Sequence, residues 1–166
     1  MWLIWMEDTA KTPTNTVLDE LLKGGFENDI ITTIYGPSGA GKTNICVVAA
    51  VAVAKQGGKV IFIDTEGGFS AERVRQICGN ETEKILDRIF FFKPTDFKEQ
   101  QEVFEKIKEI NEKRNTAIIV VEHNLKSLLE ITDRAYVLDK GKVVSEGEGK
   151  SFLQNDTLEK VFTGRI

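Results

Sequence analysis

Residues Gly36-Pro37-Ser38-Gly39-Ala40-Gly41-Lys42-Thr43 follow the spacing G-x-x-x-x-G-K-[ST], which suits the holding of a chain of phosphates. A polyphosphate needs many donors at short range. Glycines let backbone N–H groups converge without Cβ interference, a lysine adds a mobile cation, and the hydroxyl beside it can ligate Mg²⁺. Lys42 and Thr43 fill those last two places. A second candidate is Asp64, at the end of an apolar run, which can assist a metal or simply terminate a strand.

Such a loop works only between a strand and a helix, and the flanks read that way. Ile30 to Tyr35 is apolar and β-branched, and Asn44 to Lys55 reads as a buried helix with its amino end toward the anion. Before them, Thr16 to Lys23 has helical spacing and stops at Gly24-Gly25. After them come a strand at Lys59–Glu66, a capped helix at Ser70–Cys78 and a strand at Arg88–Lys93. Asp96–Lys113 reads as an amphipathic helix, Thr116–Glu122 as a fourth strand and Leu125–Thr132 as a short helix. Arg134–Leu138 and Val143–Glu146 form an antiparallel hairpin around Lys140-Gly141, and a helix at about Asp156–Phe162 ends the chain. Strands alternating with helices imply a three-layer α/β/α domain with a mostly parallel sheet and its ligand beyond the carboxyl ends of the strands. Residues 1–14 read as an N-terminal extension and 15–166 as one P-loop NTPase domain. In the extension, Met1–Met6 suits an added edge strand or a helix turn better than a signal peptide.

The bulk composition narrows the setting. The 166 residues carry a net charge of −4, which gives no general pull toward nucleic acid. Cys46 and Cys78 lie far apart, with no metal-binding spacing, as reduced thiols of a cytoplasmic protein would. No run reaches the ~20 apolar residues of a membrane span.

Two family resemblances follow from longer stretches. Leu18–Phe26, Ile34–Asn44, Ile63-Asp-Thr-Glu-Gly-Gly-Phe-Ser70 and Pro94–Gln100 resemble the archaeal RadB/RadA branch of the RecA-type recombinases. From about Ile118, Val120-Val-Glu-His-Asn124 and Ile131–Gly147 look like the C-terminal part of a branched-chain amino-acid ABC-transporter ATPase. Together they imply a chimera, recombined or designed, spliced inside the fourth strand. Neither parent is complete, since the DNA-binding loops of one and the L-S-G-G-Q signature of the other are missing.

The resemblances also assign residues. Nucleotide binding falls to Gly36, Pro37, Ser38, Gly39, Ala40, Gly41, Lys42, Thr43 and Asn44. Arg73 would stack on the adenine ring, unless it is an ordinary exposed helix arginine. Glu66 would polarise the attacking water, against the alternative of a solvent-facing carboxylate before Gly67-Gly68. Glu122 stands where a recombinase has the aspartate that helps hold Mg²⁺ with Thr43, and His123 where an ABC ATPase has its switch histidine. Glu122 could instead be a strand-end carboxylate facing solvent, and His123 a neutral histidine fitted into a turn.

If a βα unit is missing, the sheet closes in the order 3-2-4-1-5-6, counting the six strands from Ile30 onward. The expected protein is a monomeric Mg-ATP-binding domain that hydrolyses slowly or not at all, because no arginine finger is identifiable and such a group is worth ~10³–10⁵ in rate. Lack of an N-K-x-D pattern leans toward adenine. DNA is not expected as a partner. The alternatives are a RadB-type DNA-dependent ATPase and an engineered scaffold without turnover.

Overall fold

In the computed structural model, the described residues are 2–5 (backbone only), 11–16, 18–28, 30–64, 67–94, 96, 98–99, 102–103, 105, 118–121 and 132–153. Their strands are β1 (Trp2–Trp5), β2 (Lys11–Thr12), β3 (Phe26–Glu27), β4 (Ile31–Tyr35), β5 (Lys59–Ile63), β6 (Ile89–Phe92), β7 (Ile118–Val121), β8 (Arg134–Asp139) and β9 (Lys142–Glu148). Helices are α1 (Leu18–Leu21), α2 (Lys42–Lys55), α3 (Ala71–Cys78) and α4 (Thr82–Leu86).

Seven strands form one sheet in the order β6-β5-β1-β7-β4-β8-β9, and β2 pairs with β3 apart from it. β4 runs parallel to both β7 and β8, and β5 parallel to β6. The six strands anticipated from the sequence keep their order. One more strand is interposed. The expectation that the amino-terminal segment adds an edge is corrected, because β1 lies mid-sheet, antiparallel to both β5 and β7. β5 and β7 therefore do not meet, and each finds its backbone partner in β1.

Every described residue of β4 and β7 is buried, as strands of a sheet covered on both faces must be. α2 packs over one face, and its alanines at 49, 50, 52 and 54 are almost fully buried. Small side chains let this helix lie close to the sheet. Tyr35, Ala135, Val137 and Phe152 form a separate apolar cluster. The helices expected at 96–113, 125–132 and 156–162 lie wholly or largely outside the described residues.

The hairpin of β8 and β9 turns at Lys140 and Gly141, whose φ values of 48° and 76° are both positive. A two-residue turn with both central residues in that region matches the right-handed twist of the strands it joins. Polar side chains fix β8 against β4 at long range: Asp133 Oδ2 accepts from Ile31 N at 2.7 Å, and the Thr33 and Thr132 hydroxyls meet at 2.7 Å.

Candidate functional site

The loop joining β4 to α2 has the shape its glycines permit. Gly36 passes so near β8 that an added Cβ would run into the Leu138 carbonyl oxygen, with the carbonyl carbon at 3.1 Å. Gly41 is the N-cap of α2 in a left-handed conformation, φ 94°, which side chains on an L-residue disfavour. Ala40 turns its methyl into the core, while Ser38 and Gly39 stand exposed at the rim. The first amides of α2 lack carbonyl partners within the helix, and its dipole puts partial positive charge there.

Lys42 is nearly buried, and its Nζ donates to the carbonyls of Gly36 at 2.9 Å and Pro37 at 3.0 Å. The ammonium thus lies at the start of the loop rather than out in solvent. Thr43 is half-buried beside it, and Asn44 is exposed. A cleft of about 330 Å³ opens here. Ser38, Gly39, Gly41, Lys42, Thr43 and Asn44 line one side, with Gly68, Ser70 and Arg73 across from them. Arg73 is exposed, and its Nη1 donates to Gln76 Oε1 at 2.9 Å.

Gly68 and Ser70 were not anticipated at the site. Ser70 was legible only as a helix cap, and it does cap α3, accepting from Arg73 N at 3.2 Å. Gly68 leaves space that a Cβ would fill 3.4 Å from Thr43 Cγ2 and 3.5 Å from its Oγ1. Asp64 is buried and holds this turn, its Oδ1 accepting from Gly68 N at 3.1 Å and its Oδ2 from Phe69 N at 2.9 Å. Glu66, Glu122 and His123 lie outside the described residues. The strand leading to the last two, β7, pairs directly with β4, Val121 standing opposite Ile34. Burial pushes the Tyr35 hydroxyl, at the end of β4, up to about 12, so it stays neutral at ordinary pH.

A mixed sheet in which the loop-bearing strand β4 runs parallel to both neighbours, a glycine loop closed by a lysine and a hydroxyl, and a helix amino end facing a cleft define a P-loop NTPase domain. The family model described as Rad51 matches residues 9–135, and the chain belongs to that family. It is 53% identical over 96 residues to the DNA repair and recombination protein RadB of Methanobrevibacter smithii, covering 58% of this chain and 41% of that protein. It is 37% identical over 147 residues to the RadB of Methanothermobacter thermautotrophicus, covering 89% of this chain and 58% of the relative. A crystal structure of the RadB recombinase superposes with a TM-score of 0.64 at 26% identity, over 76% of this chain and 82% of the other. The chain spans about half the length of the curated relatives it matches, between 41% and 58%.

These findings correct two expectations. A monomer that does not meet DNA is overturned by family membership: the relatives are DNA repair and recombination proteins, and RecA-type proteins typically form oligomers. Whole-chain charge is a poor guide to such a partner, because it is a sum and says nothing of where charges sit. The chimera with an ABC ATPase also finds no support, since the family model runs through β7 to residue 135 and one RadB aligns over 147 residues. Among the described residues no helix is long and apolar enough to cross a membrane.

Proposed function

We propose that this chain is the nucleotide-binding core of a RadB-type protein that binds Mg-ATP and acts on DNA. The observation that carries the reading is the cleft in which the glycine loop and the amino end of α2 face Gly68, Ser70 and Arg73. The loop amides and Lys42 hold the phosphates, and Arg73 lies against the base. The donor set suits magnesium, a hard cation that favours a hydroxyl and phosphate oxygens and keeps several waters. Thr43 supplies the hydroxyl and Glu122 a water-mediated carboxylate. When bound, the ion screens the charge that develops on the β- and γ-phosphates. Glu66 orients the attacking water. The ammonium of Lys42 leaves the Gly36 and Pro37 carbonyls for the phosphate oxygens, exchanging two neutral acceptors for charged ones.

Calorimetric titration of Mg-ATP into wild type and Lys42→Ala tests the nucleotide half. Wild type is expected to bind at least about 100-fold more tightly, a difference of about 2.7 kcal/mol. Equal, poor binding by both returns the chain to a scaffold with no ligand. The DNA half is tested by gel shifts with single- and double-stranded oligonucleotides across a salt series. Retardation that fades as salt rises supports it, and no retarded species at low salt removes it.

A further inference from the structure

The turn after β5 lines the same cleft as Thr43, and one buried carboxylate accepts two of its amides. Asp64, 5% exposed, accepts two amides of the turn, from Gly68 at 3.1 Å and Phe69 at 2.9 Å. Its own N–H donates to Phe92 O at 2.9 Å, so the carboxylate is fixed to the β5–β6 pair. A second anchor lies at the far end of the turn. The Phe69 ring meets Phe62 edge-on with centroids 4.5 Å apart, and Phe91 at 5.2 Å. Between these two anchors Gly68 lines the cleft beside Thr43, so near that a methyl on it would come into van der Waals contact with the threonine, 3.4 Å from Cγ2 and 3.5 Å from Oγ1.

We infer that Asp64 is a positioning residue for Thr43: it sets the turn that orients the threonine hydroxyl toward magnesium. The inference rests on the proposed Mg-nucleotide reading of the cleft and adds to it the group that governs the metal's share of the affinity. In Asp64→Asn one acceptor oxygen becomes an N–H₂ group facing an amide N–H, so one of the two bonds is lost and replaced by a clash of donors. The turn then shifts away from Thr43. Phosphate contacts by Lys42 and the loop amides do not depend on it.

The test is ATP affinity by calorimetry in excess Mg²⁺ and in EDTA, for wild type, Asp64→Asn, Phe69→Ala and Lys42→Ala. Phe69→Ala loosens the turn from its other end, leaving the carboxylate in place. The expected ratio of magnesium-containing to magnesium-free affinity falls about tenfold in Asp64→Asn and about threefold in Phe69→Ala. EDTA affinities of both stay near wild type, whereas Lys42→Ala weakens binding in both buffers. A wild-type ratio in Phe69→Ala overturns the inference, including the case where Asp64→Asn alone loses the ratio and the carboxylate meets the metal itself. If Asp64→Asn fails to fold, Phe69→Ala decides. A wild type that binds no ATP in either buffer sinks the underlying Mg-nucleotide reading as well, and that outcome is distinct from a preserved ratio.

Discussion

Replacing Gly36 by alanine should damage both stability and nucleotide binding, and the geometry sets the size. The new methyl would strike the Leu138 carbonyl oxygen, with that carbonyl carbon at 3.1 Å and Ala40 Cβ at 3.3 Å. The obstacle is backbone on β8, hydrogen-bonded in the sheet, so it cannot swing aside as a side chain would. Loop and strand must part by roughly 1 Å, which in a packed interior costs about 1–3 kcal/mol. The same separation breaks the alignment of β8 with the end of β4, where Tyr35 stands opposite Val137. Gly39→Ala is the internal comparison. Nothing lies within 4 Å of its would-be Cβ, so only its positive φ of 78° opposes the change, at about 1–2 kcal/mol. Urea unfolding of the three proteins, followed by Mg-ATP titration, checks the pair. Gly36→Ala should lose more stability than Gly39→Ala and should bind ATP weakly even at temperatures where it is folded. A Gly36→Ala protein with wild-type midpoint and wild-type affinity would refute the claim that β8 backs the phosphate loop.

Three further outcomes are expected. Asp19 is partly desolvated, which alone would raise its pKa, yet hydrogen bonds from Thr14, Asn15 and Thr16 win and hold it below the ordinary 3.8. A depressed carboxylate contributes stability above its unfolded pKa and loses it as pH falls through the lower folded value. Asp19→Asn should therefore destabilise by about 1 kcal/mol near neutrality, with the gap to wild type closing in strong acid, as read by denaturation between pH 7 and pH 2. Phe90, Phe91 and Phe92 on the edge strand β6 are 53%, 49% and 45% exposed, and an apolar edge invites pairing between chains. Phe90→Lys should shift light scattering at high concentration toward smaller species while leaving the unfolding midpoint within about 0.5 kcal/mol of wild type. Val53→Ala, at a position with no exposure on the buried helix α2, should cost about 2 kcal/mol in urea unfolding with ATP affinity unchanged once folded.

Much of this was readable in the chain. Glycine spacing around Lys42 and Thr43 located the loop, because a phosphate cradle has few chemical solutions and all of them leave residues of the same types. Lys140-Gly141 announced its turn for a similar reason, since two successive positive φ values admit few residues. Strand order also came through, because right-handed crossovers leave few alternatives. What did not come through depends on contacts between distant residues. Gly68 looked like half of a flexible turn, and only its seat against Thr43 makes it part of the cleft. Asp64 looked like a metal candidate or a strand end, whereas its oxygens are engaged with amides four and five residues on. Val120–Asn124 and Ile131–Gly147 resembled a transporter ATPase, and a strand-and-turn pattern of that kind recurs across unrelated P-loop domains, so it identifies geometry better than ancestry.

The central place of β1 follows from what the sheet cannot do without. Had β5 and β7 simply closed on each other, the strand carrying Asp64 would stand one place nearer the phosphate loop. Instead two interior edges face one another across a strand's width, and at about 1–3 kcal/mol for each unpaired buried N–H or C=O the groups of both edges together offset the entropy of ordering a short segment. Any extended segment able to reach the gap would fill it, and ladder bonds form in either direction. Trp2–Trp5 reaches it running antiparallel, with four residues matched to β5 and two to β7. β-branched and aromatic residues suit such a slot, which is why a segment that reads from sequence as an appendage is placed at the middle of the fold. Its distance from the loop then matters for function: β5 is two strands removed from β7 and three from β4, yet Gly68, beyond Asp64, lines the same cleft as Thr43. A buried carboxylate at one end of that turn and a phenylalanine cluster at the other hold Gly68 at the cleft across this distance.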